Sequence, residues 1–287
     1  MQESPGIHIP PQWDALKMDE FSGTVMVLGS SDSGKSTFVH WLIKCLIRNH
    51  KRIGWIDGDM GQSNLGVPTT MSLAVIDESP LQLPRPQFTF FVGSNSPRNH
   101  MLPTLVGLKR LQDKGLSQGA DVVVIDTTGL VTEESGGANL KHWKIELLQP
   151  ENIIALQKER ELDHIVGPLK RHSNHKVHIL PVSEAVRTRP PESRTSGRHS
   201  RFRHYFASVK KQNIRYSAFP VFDLRHCDPF SLAAFQDEEG FCLALGVVVH
   251  FSEESMEILT PLSDLSRVNS LRLGSLRVDP ATGIEIY

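Results

Sequence analysis

The feature that most constrains the fold is a glycine-rich stretch near the start of the chain, GSSDSGKST at residues 29–37. It fits the pattern G-x-x-x-x-G-K-[ST], which surrounds nucleotide phosphates with backbone N–H groups. The apolar run Thr24–Leu28 precedes it and predicts a strand buried on both faces. The mostly apolar stretch Phe38–Ile47 follows and predicts a helix. This strand, loop and helix together favour a nucleoside triphosphate site over a glycine-rich turn without a ligand.

Each residue type in this loop has a physical reason to be there. Gly29 and Gly34 let the backbone turn sharply, and the helix that follows adds its partial positive charge to the anion site. The pattern predicts that Lys35 reaches the outer phosphates and that the Ser36 hydroxyl holds Mg²⁺. The predicted cofactors are therefore ATP or GTP and Mg²⁺. The predicted nucleotide-binding residues are Gly29, Ser31, Asp32, Ser33, Gly34, Lys35, Ser36 and Thr37.

Composition excludes several classes of protein. The 287 residues are 39% hydrophobic and 22% charged, with a net charge of −1, so any nucleic-acid contact must be a local basic patch. Cys45, Cys227 and Cys242 form no C-x-x-C pair, which argues against a zinc site or a disulfide framework. No signal-peptide core and no window of about 18 apolar residues is present. We therefore expect a protein of the cytoplasm, or of the nucleus in a eukaryote, with no membrane partner.

Two further apolar stretches end in carboxylates. Residues 52–57 predict a strand that runs into the turn DGDMGQ, and residues 120–126 predict a strand that ends at Asp126. Ligands of open parallel sheets bind at the carboxyl ends of strands, so the acids are expected beside the phosphates. An acidic turn without a ligand is the alternative. The metal ligands predicted from this placement are Ser36, Asp57 and Asp126, and Asp59 and Gln62 are expected nearby.

Other strands complete the predicted sheet. Residues 87–93 read as a strand that leads into the polar loop SNSPRNH and then into a helix over about residues 102–114. Residues 152–156 and 177–180 have the composition of two more buried strands. The polar loop alone would be an ordinary turn.

A basic segment follows the predicted sheet. Between residues 187 and 203 the chain has six arginines and a single acid, Glu192. Pro190-Pro191 favours a helix start, and Arg194, Arg198 and Arg201 then share one helix face. A solvated face normally mixes both signs of charge, whereas an arginine row suits phosphate groups. We interpret residues 184–210 as an arginine-rich lid directed at phosphate.

From about residue 218 onward, short apolar alternations separated by Asp-, Gly- and Pro-containing turns predict a small all-β unit. The predicted domains are residues 1–217, a P-loop domain that includes the lid, and residues 218–287. The predicted fold class is α/β, a P-loop NTPase with a mostly parallel sheet flanked by helices, plus a small C-terminal all-β domain.

Taken together, these motifs resemble the polynucleotide 5′-hydroxyl kinase family. That family includes the kinase subunit of the eukaryotic mRNA cleavage and polyadenylation factor, the pre-rRNA processing kinases, and shorter archaeal and bacterial relatives. The resemblance covers about residues 22–210 and is carried by GSSDSGKST, DGDMGQ, GSNSPRN, VVIDTTG and the arginine-rich segment. It implies transfer of the γ-phosphate of ATP or GTP to the 5′-hydroxyl of RNA or DNA. It also implies protein partners in RNA processing.

The resemblance assigns roles to individual residues. As catalytic residues it implies Lys35, Asp59, Arg194, Arg198 and Arg201, and as substrate or clasp residues Gln62, Ser96, Asn99 and Thr128. Where some members of the family have a tryptophan that stacks on the terminal base, this chain has Leu130. Contact with that base is therefore expected to be weaker or to come from elsewhere.

Two other functions remain open at this point. One is a scaffold that binds nucleotide without turnover, against which the intact Lys35, Ser36 and Asp59 argue. The other is a regulatory GTPase or ATPase, or a small-molecule kinase, on the same fold. A GTPase would carry a guanine-reading N-K-x-D motif, and the sequence has none.

Overall fold

The structure is a computed structural model that describes residues 8–78, 83–171 and 174–286. The helices within these residues are α1 (Pro11–Asp14), α2 (Lys35–Arg48), α3 (Met101–Ser117), α4 (Gly137–Leu148), α5 (Asp163–Leu169) and α6 (Pro191–Tyr205). The strands are β1 (Gly23–Gly29), β2 (Ile53–Gly58), β3 (Thr70–Ile76), β4 (Phe88–Phe91), β5 (Val122–Thr127), β6 (Asn152–Gln157), β7 (Lys176–Pro181), β8 (Lys210–Arg215), β9 (Val221–Phe222), β10 (Ser231–Gln236), β11 (Cys242–Phe251), β12 (Ser255–Thr260), β13 (Ser270–Val278) and β14 (Glu285–Ile286).

The first sheet has the strand order β4-β3-β2-β5-β1-β6-β7. Each neighbouring pair in the series β2, β5, β1, β6 and β7 is parallel. The apolar side chains of β1, β2, β5 and β6 are buried on both faces, as expected for parallel strands that helices cover, whereas Val177 and Ile179 of β7 are only partly buried. Parallel pairing also brings the carboxyl ends of β1, β2 and β5 to the same edge, where Asp57 lies opposite Asp126 in the register. The predicted mostly parallel α/β sheet is confirmed.

Strand β3 is absent from the sequence-based interpretation. Thr70 and Ser72 interrupt its apolar residues, so the stretch does not stand out as a hydrophobic run. Both side chains are nevertheless buried, because the strand lies between β2 and β4 in the sheet.

The second sheet is antiparallel in the pairings of β8, β12, β11, β10, β13 and β14, with β9 added in parallel beside β13. Helix α6 packs on this sheet through Phe202 and Phe206, which share a core with Leu232, Leu245 and Val278. The C-terminal all-β arrangement is thus confirmed, although its first strand, β8, precedes residue 218.

The chain forms two compact units. Unit 1 comprises residues 1–59, 73–87 and 108–189, and unit 2 comprises residues 60–72, 88–107 and 190–287. The units are discontinuous along the sequence, and the predicted division into domains at residues 1–217 and 218–287 stays a prediction. Among the described residues, no helix is both long enough and apolar enough to span a bilayer.

Candidate functional site

The phosphate loop of unit 1 connects β1 directly to α2. Gly34 has a φ of 79°, the left-handed conformation that glycine adopts without strain, and Lys35 begins the helix. At Gly29 an added Cβ would collide with the Ser33 hydroxyl and lie 3.1 Å from the Leu156 carbonyl oxygen, so the tight turn leaves little room for a side chain. Asp32 also has a positive φ, of 55°, and accepts a hydrogen bond from the Arg189 N–H at 3.2 Å. The local geometry is therefore that of a phosphate-binding turn before a helix N-terminus.

The Lys35 side chain is folded back over this loop. It is buried, and its ammonium group donates a hydrogen bond to the Ser30 carbonyl at 2.6 Å. Together with a longer hydrogen bond to Ser33 Oγ at 3.5 Å, this contact holds the amine against the loop. Ser31 and Thr37 are exposed, whereas Ser33 is buried beneath the loop.

Two buried carboxylates lie beside the loop. Asp57 and Asp126 are register partners at the ends of β2 and β5, and both are fully or almost fully buried. The Ser36 hydroxyl donates to Asp126 Oδ2 at 2.6 Å, and within the described residues Asp126 Oδ1 has no hydrogen-bond partner. Burial, followed by the neighbouring charge of Asp57, raises the pKa of Asp126 to about 7, although Lys35 and Ser36 oppose the shift.

Asp59 differs from these two acids in exposure. It lies two residues beyond Asp57, past Gly58, and its side chain is half-buried. Its backbone N–H donates to Asp57 Oδ1 at 3.3 Å, which holds the turn against the end of β2. Asp59 is thus the most accessible of the three predicted acids.

The donor set fits a magnesium ion. Ser36, Asp57 and Asp126 offer hard oxygen ligands, and the buried Oδ1 of Asp126 lacks a partner in the described part of the chain. No group of three or more His, Cys, Asp or Glu side chains able to hold a metal occurs in residues 8–78, 83–171 and 174–286. Magnesium does not require such a cage, because it usually binds one or two carboxylates, water and substrate phosphates.

The sequence interpretation missed two lysines on α4. Lys141 and Lys144 are fully buried. The Lys141 amine donates to Thr127 Oγ1 at 2.8 Å and to the Thr128 carbonyl at 2.6 Å, whereas the Lys144 amine has no hydrogen-bond partner in the described residues. Burial lowers the pKa of both, that of Lys144 to about 8, and the charge of Asp59 opposes this effect. The available signal was the position of both lysines on the face of α4 that also carries Ala138 and Ile145.

The segment after β5 approaches the phosphate loop closely. A Cβ on Gly129 would lie 2.6 Å from the Ser31 backbone nitrogen, so only glycine allows this approach. The preceding residue, Thr128, has a buried hydroxyl without a partner among the described residues. Thr128 therefore lies in the same unit as the phosphate loop, while the other predicted clasp residues belong to unit 2.

Two of the predicted clasp residues of unit 2, Gln62 and Ser96, form local hydrogen bonds. The Gln62 amide donates to the Gly61 carbonyl at 2.8 Å and to the Arg194 carbonyl of α6 at 3.5 Å. Ser96 Oγ accepts the Arg98 N–H at 3.3 Å, and Asn99 is exposed with a φ of 59°. Gln62 is thus attached to the arginine helix, and Ser96 shapes the polar loop after β4.

The three arginines of the predicted row have different surroundings. Arg194 is half-buried and Arg201 is exposed. Arg198 forms a two-pronged ion pair with Glu285, with Nε 2.7 Å from Oε1 and Nη2 2.9 Å from Oε2. The helix predicted for this segment is confirmed. The sequence analysis did not predict the buried carboxylate of Glu285 beside Arg198.

Sequence comparison gives one family and several relatives. Residues 29–208 match the family described as mRNA cleavage and polyadenylation factor CLP1 P-loop. The chain is 29% identical to a polyribonucleotide 5′-hydroxyl-kinase of Pyrococcus furiosus, with 88% of this chain and 87% of the relative covered. It is 31% identical to a polyribonucleotide 5′-hydroxyl-kinase of Thermococcus kodakarensis, with coverage of 89% and 88%.

Structural comparison identifies the same fold. Clp1p in a Clp1p–Pcf11p complex superposes with a TM-score of 0.67 over 91% of this chain and 76% of that chain, at 15% identity. A second Clp1p structure, described as bearing on ATP loss in a point mutant, gives a TM-score of 0.68. The predicted P-loop fold is therefore confirmed by structures of low sequence identity.

Proposed function

Since this chain belongs to the CLP1 P-loop family, we propose that it is a polynucleotide 5′-hydroxyl kinase, which transfers the γ-phosphate of ATP or GTP to the 5′-hydroxyl end of a nucleic acid. Two archaeal relatives matched over most of their length are named polyribonucleotide kinases, so RNA is the expected acceptor. The observation that carries the proposal is the paired Asp57 and Asp126 at the strand ends, next to a phosphate loop whose lysine is already oriented.

The phosphate loop supplies most of the binding. Its N–H groups and the α2 N-terminus attract the triphosphate, and Lys35 neutralises charge on the outer phosphates. Because the Ser30 carbonyl already holds the Lys35 amine, little reorganisation accompanies binding. We propose Ser36, Asp57 and Asp126 as the ligands of Mg²⁺, which when bound neutralises phosphate charge.

Asp59 is the proposed contact of the acceptor hydroxyl. Asp57 and Asp126 are buried at the strand ends, whereas Asp59 is half-buried and further along the turn. A carboxylate there can orient the 5′-hydroxyl and accept its proton as the oxygen–phosphorus bond forms and the bond to the leaving diphosphate breaks.

The remaining roles are proposals that rest on the family resemblance. The arginine row serves the transferring phosphate, where guanidinium groups can bind oxygens in pairs. Gln62, Ser96, Asn99 and Thr128 serve the nucleic-acid end. A protein partner in RNA processing is also proposed, by analogy with the Clp1p–Pcf11p complex; co-purification of the tagged chain with RNA-processing proteins from its own cell tests it.

The decisive assay uses γ-labelled ATP or GTP with 5′-hydroxyl oligonucleotides of RNA and DNA. We expect the label to appear on the 5′-hydroxyl oligonucleotide and not on the same oligonucleotide carrying a 5′-phosphate. Lys35→Ala is the matched negative control for contaminating kinases. Nucleotide binding without any transfer to either acceptor would instead indicate a nucleotide-binding scaffold.

A further inference from the structure

The C-terminal strand of unit 2 contains a buried carboxylate that the proposed mechanism does not use. Glu285 lies in β14, and its side chain is fully buried. A buried carboxylate is unfavourable unless it is paired and hydrogen-bonded. The contacts of Glu285 therefore identify the groups that the fold needs at this position.

Arg198 is its main partner. Both carboxylate oxygens face the guanidinium group, at 2.7 and 2.9 Å, and the Arg198 side chain is only 14% exposed. Nη2 also donates to Thr195 Oγ1 at 3.2 Å. Two nitrogens of the Arg198 guanidinium group, Nε and Nη2, thus donate to groups of its own unit.

The same carboxylate connects two more segments. Asn95, in the loop after β4, donates to Glu285 Oε1 at 2.8 Å. The backbone N–H of Glu285 donates to His199 Nε2 at 3.4 Å. Glu285 therefore joins the arginine helix, the loop that contains Ser96 and Asn99, and the end of the chain.

The backbone beside Glu285 is shaped for this contact. Gly283 has a φ of 75°, and a Cβ there would lie 2.7 Å from the Arg203 backbone nitrogen. Only glycine lets the segment before Glu285 approach α6 so closely. The junction thus combines backbone fit with charge pairing.

We propose that Glu285 is a positioning residue for phosphoryl transfer, and that Arg198 binds Glu285 and does not bind the transferring phosphate. By fixing α6 to the polar loop, the pair determines where Arg194 and Arg201 lie, and these two become the phosphate-directed arginines. The inference rests on the proposed kinase function. It assigns to Arg198 a different role from the one implied by the family resemblance.

A double-mutant cycle separates the two roles. Arg198→Met and Glu285→Leu each leave one charge buried without its partner, so each should lower the single-turnover transfer rate by roughly 30-fold or more. The double variant removes both charges, and we expect its rate to recover to within about 5-fold of the wild-type rate, since apolar pairs often replace buried ion pairs. If Arg198 instead binds the phosphate, the double variant stays as inactive as Arg198→Met.

Glu285→Gln is a more conservative variant that can be measured if Glu285→Leu does not fold. We expect kcat to fall while the affinity for ATP changes by less than about 2-fold. The reason is that the substitution displaces Arg194 and Arg201 and leaves the nucleotide site unchanged. A kcat equal to or above that of the wild type would refute the proposal, since it would mean that Glu285 restrains Arg198. All rates are measured per folded molecule, well below each variant's melting temperature, so that lost stability alone leaves kcat unchanged.

The matched control pairs Glu285→Leu with Arg203→Met. Arg203 is exposed, lies on the same helix and has no role in the proposed mechanism, so its loss should not rescue Glu285→Leu. Equal rescue by Arg203→Met would refute the specific Arg198 assignment. Absence of transfer by the wild-type protein would refute the kinase proposal itself, which distinguishes the two failures.

Discussion

Asp126→Asn should make the metal-free protein more stable and the enzyme less able to use nucleotide. The Asp126 carboxyl is buried beside Asp57, and its pKa is raised from 3.8 to about 7. The substitution removes the charge but keeps an oxygen that can accept the Ser36 hydrogen bond. Loss of a buried negative charge next to another carboxylate therefore favours the folded state.

The magnitude follows from proton linkage. The unfolded carboxyl ionises near pH 4 and the folded one near pH 7, so in this window the folded state holds more protons. The stability contributed by Asp126 is complete below the unfolded pKa and is lost as pH rises through the folded pKa. One unit of pKa shift corresponds to about 1.4 kcal/mol. Above pH 7 the raised pKa of Asp126 therefore lowers the free energy of unfolding by roughly 4 kcal/mol. The asparagine of the Asp126→Asn variant does not titrate. The free energy of unfolding of this variant, relative to that of the wild type, should therefore increase by roughly 2 to 3 kcal/mol between pH 5 and pH 8.

Urea unfolding in EDTA at pH 5 and at pH 8 measures this difference. As a control, Asp113→Asn removes an exposed carboxylate of α3 and should change stability by less than about 0.5 kcal/mol at either pH. Adding Mg²⁺ and ATP at pH 8 should stabilise the wild-type protein more than Asp126→Asn, and calorimetry should show weaker Mg²⁺-dependent nucleotide binding by the variant. A stability gain that is the same at pH 5 and pH 8 would refute the reasoning about the buried charge.

The remaining predictions concern the lysines and the accessible acid. Lys35→Ala should abolish transfer while circular dichroism and melting stay close to wild type, and unchanged activity would remove the phosphate loop from the mechanism. Asp59→Asn should keep nucleotide binding by calorimetry but lose transfer in single-turnover assays; a normal rate would exclude Asp59 as the proton acceptor. Lys144→Met should raise the free energy of unfolding at pH 7 by up to roughly 3 kcal/mol. Burial lowers the pKa of Lys144 to about 8, so the wild-type protein loses stability as the pH falls through that value, and the variant does not. The stability gain of Lys144→Met should shrink toward pH 10. Lys141→Met should instead lower the free energy of unfolding, because it leaves the Thr128 carbonyl unpaired.

The sequence predicts the central part of the site because local pattern and sheet geometry agree there. An apolar strand, a glycine loop and a helix form one continuous segment, so the phosphate loop follows from local sequence. Asp57 and Asp126 are far apart in the chain, yet both end buried parallel strands. The carboxyl ends of such strands meet at one edge, and the two residues are partners in the register.

The rest depends on contacts that local pattern does not encode. Arg198 and Glu285 are 87 residues apart, and nothing in either segment indicates that the carboxylate of a two-residue strand is buried against the arginine helix. The helical pattern places Lys141 and Lys144 on the face of α4 that carries Ala138 and Ile145, but only the packing of α4 shows that both amines are buried. The assignment of β8 to the second sheet likewise depends on its pairing with β12, whose residues follow their partners by 40 to 50 positions.

The most direct test of the kinase proposal is end-group analysis of RNA after incubation with γ-labelled ATP and Mg²⁺. A 5′-hydroxyl RNA is incubated with the wild-type protein, digested to nucleotides and resolved. The proposed function predicts that all of the label is on the 5′-terminal nucleotide, with none transferred by Lys35→Ala. Label released only as inorganic phosphate, with the RNA unlabelled, would contradict it.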